Sequence, residues 1–272
     1  MFIIKVNAKM EKPTGFFNIG HRGAAAYAHE NTISSLEEAI SRQADMVEFD
    51  VRGTADGVLV LFHDRTIKTE LGRRPVSKLS YDQLQIAARQ NGFAIAEFAD
   101  IIRRFGPRIP MNIEIKVRGF VPEIVAVLEK YQPAYPPVLS SFFPWVLARI
   151  KALNRTLDTG LIIGKDQVHR FGFLKRPVLK LLAQNIGTGS LHLQDSIIDS
   201  RITKSVHDLG MRLLAWTVDH EDRMRALIGL GVDGIITNRP DLLYGVCAKM
   251  ASEKIPIIRK ARDGVGKFVY TG

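Results

Sequence analysis

Met46-Val47-Glu48-Phe49-Asp50-Val51-Arg52-Gly53-Thr54-Ala55-Asp56-Gly57-Val58-Leu59-Val60-Leu61-Phe62-His63 is two extended runs joined by four residues. Thr54-Ala55-Asp56-Gly57 is too short for the crossover helix that parallel strands need, and Asp-Gly between extended runs favours a two-residue type I′ hairpin. The two runs are therefore expected to be antiparallel neighbours, with Asp56 and Gly57 at the tip and Ala55 paired with Val58. Counting down that ladder puts Asp50 opposite His63, with Cα atoms about 4.5–5.5 Å apart. Side chains alternate along a strand, so Glu48 and Asp50 share one face and Val47, Phe49 and Val51 share the other.

This reading decides the strand count. Along the rest of the chain, short apolar runs alternate with longer amphipathic segments, the rhythm of parallel β/α units. Together with 46–51 and 58–63, strands are expected at 16–20, 111–116, 138–142, 160–164, 186–192, 213–218 and 234–237. That is nine. If 58–63 is only the return arm of a hairpin, the other eight close a barrel. The expected fold is an α/β TIM (β/α)8 barrel with a β-hairpin extending its second strand. Helix boundaries fit: Asn31-Thr32 caps a segment with Ile33, Leu36 and Ile40 on one face, and Ser80 and Gln83 have capping-box spacing. Pro122, Pro144 and Pro240 suit first turns, and Gly231 suits a C-terminal cap.

The chain has 272 residues, 46% of them hydrophobic. That fits one barrel domain over residues 1–272, with no Pro/Gly/Ser-rich linker to divide it. The net charge of +10 attracts anions: phosphate esters, acidic membrane surfaces or nucleic acid. Cys247 is the only cysteine, which excludes an intrachain disulfide. No apolar run approaches spanning length and the N-terminus lacks the apolar core of a signal peptide, so the expected location is cytoplasmic, with any membrane contact peripheral.

Polar residues recur at the C-terminal ends of the expected strands, which in a barrel meet at one mouth. His21 and Arg22 follow the first; Glu48 and Asp50 lie in the second; Glu114 and Lys116 end the strand after Ile113; Trp216 and Asp219 close 213–218. A carboxylate inside an apolar strand is costly unless paired or bound to a cation. Glu48, Asp50 and Glu114 are thus candidate ligands of one divalent cation, Mg2+ or Ca2+, since all-oxygen donors suit hard ions; ion pairs to Arg22 or Lys116 are the structural alternative. His21 and His63 are the candidate acid–base pair, because imidazole titrates near neutrality. Arg22 and Lys116 suit a phosphoryl oxygen, and Trp216 is either a wall for an alcohol or a rim packing residue. His29, His192, His207 and His220 have no comparable setting, and His169 lies in a basic stretch read as surface.

These residues fall in an order that resembles the glycerophosphodiester phosphodiesterase family. The carrying stretches are Gly20-His21-Arg22-Gly23, Glu30-Asn31-Thr32, Glu48-Phe49-Asp50-Val51, His63-Asp64 and Glu114-Ile115-Lys116. Ala215-Trp216-Thr217-Val218 and Gly231-Val232-Asp233-Gly234 extend the likeness, which runs from about Asn18 to Asp241. The resemblance implies a TIM barrel of the phospholipase-C-like phosphodiesterase type. It implies a cation on Glu48, Asp50 and Glu114, His21 and His63 as general acid and base, Arg22 and Lys116 on the phosphate, and Trp216 near the leaving group. The implied reaction is hydrolysis of a glycerophosphodiester to sn-glycerol 3-phosphate and an alcohol, attacked by water or by the glycerol 2-hydroxyl. Lysophospholipase D activity on lysolipids and a non-catalytic phosphate- or nucleic-acid-binding barrel are the alternatives; no nucleic acid partner is expected. Two departures stand out. His29 replaces the proline usual in the family before Glu-Asn-Thr, and residues 65–109 match weakly, with Phe93-Ala94-Ile95-Ala96-Glu97 as the counterpart of a Pro-Thr-Leu-Glu-Glu run. The segment 171–182, with Lys175, Arg176 and Lys180 among apolar residues, reads as a barrel helix with a basic face that lipid would also attract.

Overall fold

The computed structural model describes residues 15–167 and 187–253. The basic segment 171–182, His169, the start of the strand expected at 186 and the tail beyond 253 lie outside the described residues.

Eight parallel strands close the barrel: β1 (Phe17–Gly20), β2 (Met46–Gly53), β6 (Met111–Ile115), β7 (Val138–Ser141), β8 (Asp158–Ile163), β9 (Ser190–Gln194), β10 (Arg212–Trp216) and β11 (Gly234–Thr237). They follow in the order β1-β11-β10-β9-β8-β7-β6-β2, and Ile19↔Met46 and Gly20↔Val47 join the last to the first. The antiparallel arm β3 (Leu59–Leu61) pairs with β2, and its Val60 makes an isolated antiparallel bridge to Glu97. The expected eight-plus-one count is what the chain builds.

The hairpin register differs from the expected one. Thr54 N–H donates to the Val58 carbonyl at 3.0 Å, so three residues, not two, form the loop. Gly57 alone takes a positive φ, +87°, and its N–H reaches the Thr54 carbonyl at 3.3 Å. That is a turn closed by a left-handed glycine bulge, whereas type I′ needs two positive φ values. Thr54 drives the choice: its hydroxyl bonds Asp56 at 2.5 Å and accepts from Val58 N–H at 2.9 Å. The ladder therefore slips by one residue, and Asp50 accepts from Phe62 N–H rather than facing His63.

Between β3 and the barrel helices lies a small excursion: the ribbon β4 (Thr66–Thr69) and β5 (Gly72–Pro75), then α2 (Tyr81–Gln90). It has its own core of Val60, Ile67, Val76, Leu79, Leu84, Ala87, Ala88 and Ile95. The sequence pattern misses the ribbon, whose β5 is exposed throughout and so carries no apolar alternation. The counterpart run near residue 93 ties back to the hairpin, with Leu61 N–H donating to Ala96 O at 2.9 Å.

Around the barrel stand α1 (Ile33–Ser41), α3 (Phe98–Phe105), α4 (Val121–Tyr131), α5 (Pro144–Leu153), α6 (Ser200–Asp208), α7 (Glu221–Gly229) and α8 (Pro240–Ser252). Thr32, not Asn31, caps α1, in a reciprocal box with Ser35. Ser80 and Gln83 form the expected box on α2. Gly231 follows α7 at φ +82°. The main core lies between strands and helices and takes Val47, Phe49 and Val51 from β2. The barrel interior has a smaller apolar cluster of Ile19, Met46, Leu214 and Ile236.

Candidate active site

A cleft opens at the C-terminal end of the barrel. His21, Arg22, Glu48, His63, Glu114, Lys116 and Trp216 line it; Asp50, the eighth residue singled out from sequence, is 1% exposed just behind them. Every expected site residue thus comes to one place.

Glu48 and Asp50 arrive on the inward face of β2, and Glu114 comes from the neighbouring β6, where it is level with Asp50. Carboxylate oxygens of the three lie within 4.8 Å of one another. Each is held differently. Glu48 accepts the Arg22 backbone N–H at 2.9 Å, a donor presented because Arg22 sits at φ +49° just past β1. Asp50 is clamped by Arg22 Nε at 3.2 Å and Lys116 Nζ at 3.1 Å. Asn31 adds two bonds: its Nδ2 donates to Asp50 Oδ2 at 2.9 Å, and its Oδ1 accepts Asp50 N–H at 3.0 Å. Glu114 has Lys116 Nζ at 2.5 Å. The cation-site and ion-pair readings of these acids therefore describe one cluster, since Arg22 and Lys116 brace the carboxylates that gather.

Burial alone raises all three carboxyl pKa values. For Asp50 the Lys116 and Arg22 charges outweigh it and hold the group down at about 2. For Glu114 burial wins over Lys116 and, with repulsion from Asp50, lifts it to about 7. Glu48 is pushed well up by burial, then by Asp50 and Glu114. Three buried carboxyl groups face one another, and mutual repulsion and burial push two of them toward the protonated form; a hard divalent ion among these oxygen donors would relieve that, so the set fits a Mg2+- or Ca2+-like ion.

His21 Nδ1 meets Asn238 Oδ1 at 2.8 Å. The amide orientation follows from Asp219: Asn238 Nδ2 donates to Asp219 Oδ2 at 2.6 Å, and Asp219 Oδ1 accepts from Asn238 N–H and the Thr237 hydroxyl. A carboxylate only accepts, so Asn238 presents its oxygen to His21, which then carries its proton on Nδ1. Burial, reinforced by the Arg22 charge, lowers His21 to about 4, so the ring is neutral with Nε2 as an acceptor. His63 comes from the end of the hairpin, where pairing has ceased; Arg52 holds its carbonyl at 2.9 and 2.6 Å. Its Nδ1 faces Asp64 at 3.0 Å. Burial lowers its pKa, and Asp50 partly opposes that.

Trp216 donates through Nε1 to the His192 carbonyl at 2.9 Å and stands edge-on to Phe142 at 5.7 Å. It is both a cleft wall and a rim packing residue. Sequence reading took Asn31 as a helix cap and did not single out Asn112 or Asn238. It also dismissed His192, which is fully buried on the cleft floor. A signal was available there: Leu191-His192-Leu193 alternates, and its polar member is the one facing in. His29 stacks on Phe93 at 3.9 Å, and Phe93 on Phe62 at 6.2 Å, so the residue replacing proline packs on the ring that reaches the hairpin arm.

Comparison with known proteins identifies the family. Residues 21–242 match the glycerophosphoryl diester phosphodiesterase family. The glycerophosphodiester phosphodiesterase of Caldanaerobacter subterraneus subsp. tengcongensis is 27% identical over 245 residues, 85% of this chain and 97% of that protein. The mouse lysophospholipase D GDPD3 is 23% identical over 278 residues, 87% of this chain and 83% of that one. The fold matches that of an Oleispira antarctica phosphodiesterase solved with the product sn-glycerol 3-phosphate, with TM-score 0.72, 24% identity and coverage of 85% and 96% of the two chains. The chain belongs to the glycerophosphoryl diester phosphodiesterase family and is a phosphoric diester hydrolase.

Proposed function

We propose that the chain hydrolyses a glycerophosphodiester to sn-glycerol 3-phosphate and an alcohol, using one divalent cation and two histidines. The observation that carries this is the meeting of the Glu48, Asp50 and Glu114 carboxylates beside His21 and His63 in one cleft. When bound, the cation would polarise a phosphoryl oxygen and offset transition-state charge. Glu48, Asp50 and Glu114 would hold it, with Arg22, Lys116 and Asn31 keeping Asp50 in place. Arg22 and Lys116 also line the cleft, where their charges attract the phosphate. His21, neutral and with Nε2 free of the Asn238 contact, takes the proton from the attacking oxygen. His63 returns a proton to the leaving oxygen, its Nδ1 held by Asp64. Trp216 and Phe142 form the wall against which the alcohol rests. The mouse relative is named for lysophospholipase D activity, which would use the same groups on a longer alcohol.

Among the described residues no helix is long and apolar enough to cross a membrane. The deciding assay measures glycerol 3-phosphate release from a panel of glycerophosphodiesters, with choline release from lysophosphatidylcholine beside it. Turnover should stop on chelation, return with Mg2+ or Ca2+, and be accompanied by a melting temperature that falls when the ion is removed. Full turnover in chelator would refute the cation's role, and release of choline alone would favour the lysolipid reaction.

A further inference from the structure

The ribbon β4–β5 carries two features that its own packing does not use. The first is charge. Ile67 is buried in the core of the excursion, so Lys68, its neighbour on the strand, turns to the outer face. Lys68 stands directly opposite Arg73. Like charges in that position destabilise a β-pair, and an anion from outside would relieve them. The acids of the ribbon are already engaged: Asp64 meets His63 at 3.0 Å and Arg73 at 3.4 Å, and Glu70 accepts from Gln90 Nε2 at 2.7 Å. Lys68 is exposed and has no ion-pair partner among the described residues. The second feature is the tip. Thr69 Oγ1 accepts Leu71 N–H at 3.2 Å and donates to the Gly72 carbonyl at 2.8 Å, and Gly72 turns the chain at φ +93°. The turn is thus built without the Leu71 side chain, which stands 85% exposed. One exposed leucine is ordinary; a leucine on a braced tip beside opposed cations is an amphipathic pattern.

The same pattern recurs elsewhere on the barrel mouth. Trp145, in the first turn of α5, is 53% exposed and packs on Phe143 at 5.0 Å between ring centroids. The exposed Arg118 guanidinium lies 5.1 Å from the Trp145 ring. Arg118 follows β6 and Trp145 follows β7, so both sit at strand C-terminal ends, shortly after the cleft residues Lys116 and Phe142. The ribbon reaches the same cleft through Arg73, Asp64 and His63. Exposed cations beside an exposed leucine and an exposed tryptophan match an anionic lipid interface, where phosphates meet the charges, the apolar tip enters the acyl boundary and the indole sits at headgroup level. Nucleic acid would meet the cations but leave the leucine in water.

We propose that the β4–β5 ribbon and Trp145 dock the barrel mouth on an anionic phospholipid surface, with Leu71 and Trp145 entering the interface and Lys68 and Arg73 meeting lipid phosphates. This goes beyond the reaction assigned above and does not depend on it. The test is co-flotation of the full chain with vesicles of phosphatidylserine and phosphatidylcholine in equal parts, against pure phosphatidylcholine, at low salt and in 0.5 M salt. Wild type should bind the anionic vesicles and lose at least about tenfold in partitioning on neutral ones or in high salt. Lys68→Gln should bind about fivefold more weakly. Lys68→Glu, a change of two charges, should bind about 25-fold more weakly, while its melting temperature holds or rises because it now pairs with Arg73. Leu71→Ser and Trp145→Ser should each lose about 5- to 10-fold. On soluble glycerophosphocholine all four variants should keep kcat/KM within about twofold. Absence of wild-type binding to anionic vesicles overturns the proposal, and so does binding that the four variants retain. Loss in the Lys68 variants with wild-type binding in Leu71→Ser and Trp145→Ser also overturns it, since that is the behaviour of a general polyanion surface. Vesicle binding without turnover of any glycerophosphodiester would sink the functional reading alone.

Discussion

Asn31 offers the sharpest test of how the cluster is held. Its amide makes two bonds to Asp50, at 2.9 and 3.0 Å, and it sits 2% exposed at φ +58°. Asparagine is one of the few residues that tolerate that backbone conformation, so the position demands both the conformation and the amide. Asn31→Gly keeps the conformation and removes the amide. One charge-assisted bond disappears and the Asp50 N–H is left buried and unpaired; each effect is worth about 1–3 kcal/mol, so a net loss of about 3 kcal/mol is expected. Asn31→Ala should lose about 1 kcal/mol more, from the left-handed strain of a side chain with Cβ. Urea unfolding of the chelated proteins measures both, and calorimetric titration with Ca2+ or Mg2+ should show affinity about 10- to 100-fold weaker, the usual cost of losing a partner that orients a ligand. If Asn31→Gly keeps both the wild-type urea midpoint and the wild-type cation affinity, Asp50 is positioned by Arg22 and Lys116 alone and the reasoning fails.

Two further outcomes follow from the same geometry. Asn238→Ala removes the acceptor that holds the proton on His21 Nδ1, so kcat should drop about 10- to 100-fold with KM within about threefold; an unchanged kcat would show that the tautomer is set otherwise. On the far side of the barrel, the His207 Nε2–Asp233 contact at 2.9 Å raises the His207 pKa, against the opposing effect of burial. A raised folded pKa means stability that is fully present below the unfolded value, about 6.5, and lost as pH rises through the folded one. The pair is partly exposed, at 39% and 24%, so the effect is below about 1 kcal/mol. Wild type should lose this increment above pH 6.5 and His207→Gln should not; identical pH profiles in urea unfolding would remove the pair from the account.

Much of the site was legible because it depends on strand alternation and strand ends. Glu48 and Asp50 must share a face, and Glu114 joins them once 46–51 and 111–116 are barrel neighbours. What the pattern could not reach were the contacts that hold these groups. Asn31 looked like half of a helix cap, since Asn at such a boundary serves equally as cap or as left-handed corner; only the approach of β2 makes it a brace for Asp50. Asn238 and Asp219 sit on loops 19 residues apart, and no periodicity links them to His21, 217 residues away. The hairpin slip has a local cause: Thr54 engages Asp56 and Val58, adding one residue to the loop, and a two-residue rule does not count side-chain bonds.

The local sequence pattern alone pointed to an eight-stranded parallel barrel with a hairpin on its second strand. Apolar alternation, the short Thr54–Gly57 link and the capping residues are set by backbone geometry and need no knowledge of distant contacts. Tertiary structure decided which polar groups brace the carboxylates, which proton His21 carries and what lies on the cleft floor. Those outcomes depend on burial and on partners far away in the chain. A buried histidine such as His192 has no chemistry to read until the strands on both sides have removed its water.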